Sequence, residues 1–371
     1  MKKLNVLLLG WGKMGSVEGK AILSLRQEME KENRELNLVV VERMNDRLED
    51  AKRFVQSGFP SYTQALDSMT ATNTSPEIIV MAFNDVEHFP AFKNLLETTP
   101  SIKAVFSEKP LAATQEQAEC LYPFMHDKFV TLDTIINFSP VFDALRQYLP
   151  NDMALTHFDC FWRKDRTKDT RPSTGIVSDI IHPLGIVSEM FKQGAITLMA
   201  GTGYQGYLSD GAKDVVYEID TRWMTDKKIP VTLQTSYAYP KQQREVIAYY
   251  KSAAGETCIA DLQFDVARTT DRLVFSHYAS NGKQLSQTTY TSEPDDVQTG
   301  YQGMVGDRVS AFIGWSFRAY LKPDDQLAAH KISNLESSRL LQNTIEQIRA
   351  PNAPMVITQR PALSVLTPRQ A

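Results

Sequence analysis

Cysteine is scarce in this chain: three residues in 371, Cys120, Cys160 and Cys258, far apart. An odd, scattered set argues against a disulfide framework and against a thiolate zinc site, and it suits a reducing compartment. Charge of one sign is not in excess either. Lys plus Arg number 40 and Asp plus Glu 44, a net charge of −4, so there is no electrostatic footprint for nucleic acid or an anionic membrane. Long hydrophobic runs are missing. Leu4 to Leu9, after Met1-Lys2-Lys3, includes Asn5 and is soon followed by Lys13. It is far short of the ~20 apolar residues of a membrane helix, and no small-residue cleavage site follows it. It reads as a buried strand, and the expectation is a soluble cytoplasmic protein. Neither an internal repeat nor a metal-ligand spacing stands out, and no metal is expected.

What is present is a globular composition, 42% hydrophobic and 23% charged, on a chain long enough for two or three domains. The first 130 residues alternate between strand and helix patterns. Leu4–Leu9, Leu38–Val41, Ile78–Ala82, Ala104–Phe106 and Phe129–Ile136 are short apolar runs of the kind buried on both faces. Between them, Met14, Val17, Ala21, Ile22 and Leu25 recur at helical spacing, with Arg26–Glu35 as a charged extension. Leu48, Ala51, Phe54 and Val55 mark another helix, Phe89 to Leu96 a third, and Thr114 caps one running to His126. Such alternation predicts βαβ units and a parallel sheet.

After Pro150 the character changes. Ala154–Trp162, Val215–Trp223, Val231–Tyr239, Thr257–Phe264, Arg272–Tyr278 and Leu285–Thr291 read as strands, several bounded by turns such as Asp210-Gly211 and Asn281-Gly282. They predict a large, mainly antiparallel open sheet. Helices are expected over Thr174–Lys192 and Asn334–Arg349. The fold class is thus α/β followed by α+β. A dinucleotide-binding domain spans 1–130, an α+β domain for substrate and oligomerisation spans 131–350, and 351–371, with four prolines, is a loosely attached tail.

Gly10-Trp11-Gly12-Lys13-Met14-Gly15 is a complete G-x-G-x-x-G between a buried strand and an amphipathic helix, the context that the dinucleotide fingerprint requires. Gly10 permits the turn, Gly12 lets a pyrophosphate approach the backbone, and Gly15 lets helix and strand pack closely. Lys13 and Met14 fall within the same turn. Glu42, at the end of the second strand, suits the adenosine ribose hydroxyls and favours NAD. The adjacent Arg43 suits a 2′-phosphate and keeps NADP open.

Further along, Ser107-Glu108-Lys109-Pro110 ends a strand, Asn84 and His88 form Asn-x-x-x-His, Asn137-Phe138-Ser139-Pro140 follows the last strand, and Gly175 to His182 contains Asp179. With the glycine fingerprint, these resemble the Gfo/Idh/MocA family of nicotinamide-dependent oxidoreductases. The likeness covers most of residues 1–350, with Tyr301 and Leu335–Ile348 resembling its carboxyl-terminal features, and is weak between about 195 and 300. Two departures stand out. Asn137 replaces the family's arginine, and Asp179 and His182 are three apart where the family has four. If His182 keeps its place, Ser178 takes the aspartate position; if Gly175 and Asp179 keep theirs, His182 is displaced.

The resemblance implies a Rossmann domain followed by a domain whose open sheet often makes a homo-oligomer. It implies NAD or NADP, used on sugars, polyols or sugar nucleotides. Asn84, His88 and Glu108 would serve the cofactor, with Glu108 near the carboxamide. Lys109 would reach the reacting oxygen, and Asp179 and His182 would face it. The chemistry is coherent: a lysine ammonium stabilises developing alkoxide charge, and a histidine takes the proton. Arg163, within the basic stretch Arg163–Arg171, is a further substrate candidate. The leading expectation is an NAD(P)-dependent dehydrogenase or reductase of a small sugar-like or cyclic polyol hydroxyl or ketone. A non-catalytic dinucleotide-sensing regulator and a reductase of a non-sugar substrate are the alternatives.

Overall fold

The computed structural model describes residues 1–167, 175–207, 214–266, 270–292, 304–322 and 335–359. The chain begins with β1 (Lys2–Leu9), α1 (Lys13–Ser24), α2 (Arg26–Lys31), β2 (Arg34–Val41), α3 (Asn45–Ala51), β3 (Ser57–Phe59), α4 (Tyr62–Ala71) and β4 (Ile78–Met81). It continues with α5 (Asp85–Thr98), β5 (Ala104–Glu108), α6 (Gln115–Met125), β6 (Phe129–Asp133), α7 (Val141–Tyr148), β7 (Ala154–Asp165) and α8 (Val177–Gly185). Strands β8 (Ile196–Tyr207), β9 (Asp214–Thr225), β10 (Pro230–Ser236), β11 (Ala238–Lys251), β12 (Thr257–Val266), β13 (Thr270–Tyr278) and β14 (Gln284–Ser292) follow, then α9 (Met304–Leu321), α10 (Leu335–Arg349) and β15 (Met355–Gln359).

Two compact units result, and the first is discontinuous: Met1–Phe138 joined by Asp295–Gln342. Its sheet is parallel throughout, in the order β3-β2-β1-β4-β5-β6. Leu4, Val6, Leu7, Leu8 and Leu9 are all fully buried, which is why β1 shows no alternation of apolar and polar residues. One face receives Val17, Ala21 and Ile22 of α1 together with Val309, Phe312, Ile313 and Phe317 of α9. Phe317 meets Phe106 edge-on at 5.3 Å, and Phe312 meets Phe138 at 5.7 Å. Each such buried aromatic contributes about 2–3 kcal/mol. The sequence division at 130 therefore needs correcting, because the apolar face of α9 has its complement on the first sheet. Ser61 and Thr114 cap α4 and α6 by accepting from the amides of Gln64 and Gln117.

The second unit comprises Ser139–Pro294 and Asn343–Ala371. Its nine strands run in the order β14-β13-β12-β11-β7-β10-β9-β8-β15. Pairing is antiparallel except for β7 with β10 and β8 with β15. Met355–Gln359, expected in a loose tail, is instead an edge strand on β8; residues 360–371 lie outside the described residues. Alternation along β7 buries Phe158, Cys160 and Trp162 on the face covered by α7 and α8. There Phe142 packs on Phe264, Tyr148 on Phe275 and His182 on Trp162. The opposite face carries Asp159, Phe161, Arg163, Glu245, Tyr249, Asp261 and Arg272, all half-buried. Among the described residues no helix is long and apolar enough to cross a membrane.

Candidate active site

The turn after β1 is shaped by what a side chain would meet. Gly10 has φ 109°, and a Cβ there would lie 2.8 Å from the Ala82 carbonyl oxygen. A Cβ on Gly15 would come within 2.1 Å of the Gly10 oxygen, so α1 reaches the strand only with glycine there. Gly12 differs: its Cβ would meet nothing nearer than Arg47 Nη1, at 3.6 Å. The chain thus leaves open the space at the amino end of α1, where first-turn amides lack intrahelical acceptors and the dipole is positive. That arrangement fits a diphosphate. Lys13 is exposed and Met14 half-buried on the same turn.

Trp11 anchors this turn from behind. Its indole Nε1 donates to Asp50 Oδ2 at 2.9 Å, and its ring presses on Gly19, where a Cβ would lie 2.2 Å from it. Its amide donates to Glu42 Oε2 at 2.8 Å, and the Met44 amide donates to Oε1 at 2.9 Å. Glu42 therefore ties the ends of β1 and β2 together, and each oxygen keeps a lone pair for a ribose hydroxyl. Arg43 is exposed and pairs with Glu87 at 2.6 Å. Asn84 is exposed at the N-cap of α5, its side chain making no cap bond.

His88 is fully buried. Its Nδ1 lies 2.8 Å from the Pro110 carbonyl oxygen and its Nε2 3.1 Å from that of Phe83. Both ring nitrogens are thus engaged by backbone, and the ring braces the segment after Lys109 against the end of β4. The sequence placed His88 among cofactor contacts; the structure shows its ring buried between two backbone carbonyls.

Glu108 and Asp133 end β5 and β6, and Glu18 projects from α1 to meet them. Carboxylate oxygens of the three lie within 4.8 Å of one another. Glu18 and Asp133 are each 1% exposed. Burial, reinforced by the negative neighbours, holds both carboxyls well above the usual range. Burial also raises Glu108, against the opposing pull of the Lys109 ammonium, the Asp133 hydrogen bond and His88. One oxygen on each, Glu18 Oε2, Glu108 Oε1 and Asp133 Oδ1, lacks a hydrogen-bond partner. Burial of three adjacent carboxyls thus favours their protonated forms. Sequence reading found Glu108 but missed Glu18 and Asp133. Glu18 carried a signal: an acid four before Ile22, on the apolar face of α1.

In the second unit, Asp179 is 4% exposed and pairs with Lys164 of β7. Three residues on, the His182 ring stacks on Trp162, 5.5 Å between centroids at 28°. The side chain of Ser178, as well as Lys168, Arg171 and Tyr301, lies outside the described residues. Arg163 is not brought to this group. Alternation turns it to the other face of β7, where it bonds Gln234 and Gln243 and lies over Phe161 and Tyr239. Lys164, one residue on, is the basic residue that meets the helix. Asn137, in place of the arginine, is buried and donates to Thr134 Oγ1 at 3.2 Å.

The comparisons with known proteins agree with this architecture. No curated protein matches the chain in sequence. Among solved structures, KijD10, a 3-ketoreductase from Actinomadura kijaniata in complex with NADP and TDP-benzene, superposes with a TM-score of 0.68 at 13% identity, covering 97% of this chain and 100% of that one. The UDP-N-acetylglucosamine 3-dehydrogenase GnnA from Acidithiobacillus ferrooxidans gives 0.66 at 14%, covering 94% and 97%. An NAD binding oxidoreductase from Klebsiella pneumoniae gives 0.66 at 14%, covering 93% and 95%. At such identities the likeness is one of fold. The sequence model described as oxidoreductase family, NAD-binding Rossmann fold, matches residues 4–132. That match falls on the parallel sheet and its glycine turn, so it is the first sheet that is similar in sequence to the NAD-binding Rossmann domain of the Gfo/Idh/MocA oxidoreductases.

Proposed function

We propose that this protein is an NAD(P)-dependent oxidoreductase that moves hydride between nicotinamide and a hydroxyl or ketone of a sugar-like substrate. One observation carries the reading: an open space beside Gly12 at the amino end of α1, in a sheet whose order reverses at β1 and β4. Dinucleotides bind at that reversal, outside the carboxyl ends of the strands. The glycine turn holds the diphosphate, and Glu42 takes the adenosine ribose. Arg47 lies near enough to the turn to add positive charge. The nicotinamide half then belongs to the side of β4–β6, where Asn84, Glu108 and Lys109 end their strands or follow them. When bound, the cofactor supplies the hydride acceptor or donor.

The remaining chemistry falls to the chain. Lys109 stabilises charge on the substrate oxygen, and His182 takes or returns its proton, help worth typically ~10²–10⁴-fold. Asp179 binds a neighbouring hydroxyl or orients His182. Sugar nucleotides are the first class to try, because KijD10 is a 3-ketoreductase seen in complex with TDP-benzene and GnnA is a UDP-N-acetylglucosamine 3-dehydrogenase. The face of the second sheet opposite α7 and α8, with Phe161, Tyr249, Asp261 and Arg272, carries no helix among the described residues, which supports association of two or more copies. The sparse, unpaired cysteines suit a cytoplasmic setting.

The test is a fluorescence titration with NADH and NADPH, followed by a screen of sugars, polyols and sugar nucleotides for cofactor turnover. Saturable binding with turnover is expected. Binding without turnover across a broad panel would instead favour the dinucleotide-sensing regulator, and indifference to both dinucleotides would end both readings.

A further inference from the structure

Lys164 has no part in the reaction assigned above, yet its surroundings are specific. It stands two residues beyond Trp162 on the covered face of β7. Its ammonium pairs with Asp179, with 20% of its side chain exposed and 6% of that of the aspartate. The Tyr237 ring lies 5.0 Å from the ammonium, and the Arg166 guanidinium 4.8 Å from the same ring. The Tyr237 hydroxyl donates to the Gly175 carbonyl at 3.0 Å, just ahead of α8. Trp162, the preceding inward residue, stacks on His182 and carries Arg244 at 5.6 Å. Two consecutive inward side chains of β7 thus serve the two functional candidates of α8: one packs the histidine, the other neutralises the aspartate.

Among the described residues, the charged and titratable groups around Lys164 are Asp179 from α8, Arg166 beyond the end of β7, Tyr237 between β10 and β11, and Arg244 from β11, with His182 three residues along α8 from Asp179. Arg244 is itself paired with Asp265. Burial, aided by the Arg244 and Arg166 charges and opposed by Asp179, brings the ammonium down to about 8. It therefore changes charge within the working range of most enzymes.

We propose that Lys164 is a positioning residue: protonated, it pairs with Asp179 and holds that carboxylate on the helix face it shares with His182, and on losing its proton it withdraws that positive partner and loosens its hold on the carboxylate. For its catalytic consequence this rests on the oxidoreductase reading; the titration itself does not. An acid that must hold a substrate hydroxyl or orient an imidazole has to stay fixed, and an ion pair with a lysine fixes it more firmly while the lysine is charged.

Two measurements on the full-length protein test this. In the first, lysines are labelled with ¹³C at Cε, and the Lys164 resonance is identified by its loss in Lys164→Arg. It should titrate with a midpoint near 8, and Asp179→Asn should lower that midpoint by about one pH unit or more. A midpoint in the ordinary lysine range near ~10.4, or one indifferent to Asp179→Asn, overturns the proposal. In the second, kcat/KM of the wild type should fall about tenfold per pH unit above the same midpoint. Lys164→Arg, which keeps its charge to pH ~12, should retain the neutral rate within about threefold and lose the alkaline limb. Lys164→Met should lose on the order of 10²-fold at every pH. An unchanged limb in Lys164→Arg overturns the proposal. If no substrate is turned over, the oxidoreductase reading fails alone, and the resonance still decides the pairing.

Discussion

Replacing Glu18 with glutamine addresses the buried carboxyl cluster directly. In the folded first unit Glu18, Glu108 and Asp133 keep protons above the usual carboxylate range, whereas in the unfolded chain they ionise near pH ~4. Above that pH the folded state binds more protons than the unfolded state, so stability falls as pH rises. Each proton so retained gives a slope of about 1.4 kcal/mol per pH unit. Glu18→Gln cannot ionise, and its amide offers donors to the Glu108 and Asp133 oxygens that lack partners. One proton's slope should vanish. For a unit of this size 1 kcal/mol moves Tm by ~2–4 °C, so the variant's advantage should widen as pH rises, by about 3–5 °C for each pH unit over which the folded wild type keeps that proton. Calorimetric melts across that range provide the assay. Parallel wild-type and variant curves, or a variant less stable at pH 8, would refute the retained-proton account.

Other outcomes follow from the same geometry. Gly12→Ala should melt within about 1–2 °C of wild type yet weaken NADH binding by on the order of 10²-fold, because its Cβ occupies open space, whereas Gly15→Ala, which strikes the Gly10 carbonyl, should fail to fold; equal Tm losses would contradict this. Glu42→Ala should weaken NAD more than NADP and cost about 1–3 kcal/mol of stability, since two backbone amides lose their acceptor; a stronger loss for NADP would reverse the cofactor leaning. His182→Ala should lower kcat by on the order of 10²–10⁴ with little change in Tm, and wild-type rates would remove the imidazole from the reaction. Burial first, and then Glu245, lift Asp261 to about 7 on the sheet face opposite α7 and α8. Its protonation below that value removes a charge from the face, so self-association seen by sedimentation should tighten at pH 6 relative to pH 8 and weaken in Phe161→Asp.

Local features were legible in the sequence and long-range ones were not. The run Leu4–Leu9 and the turn Gly10–Gly15 announce themselves because their burial and their backbone demands are written into adjacent residues. Strands β8 and β11 escaped notice: Gly201, Gly203 and Gly206 interrupt one, and Pro240-Lys241-Gln242-Gln243-Arg244 interrupts the other. Their extended form is imposed by the neighbours they pair with, which propensity does not record. Arg163 was chosen over Lys164 because the sequence does not say which face of β7 receives α8, and a shift of one residue reverses every side chain. Asp133 drew no notice inside the expected strand Phe129–Ile136. Its weight comes from Glu18, 115 positions away in the chain, and from a helix–sheet contact that no spacing rule reports.

The late return of the chain to the first sheet has a consequence for synthesis. A ribosome that has released β6 still lacks α9, roughly 170 residues downstream. At ~5–20 residues per second, that is on the order of 10–30 s. Through that interval the nascent sheet exposes the hydrophobic bed meant for Val309, Phe312, Ile313 and Phe317. The dinucleotide module cannot mature as its own sequence emerges; it must wait, partly unclad, while the inserted partner is translated, and a message cut short before codon 304 yields a glycine turn on an unfinished foundation.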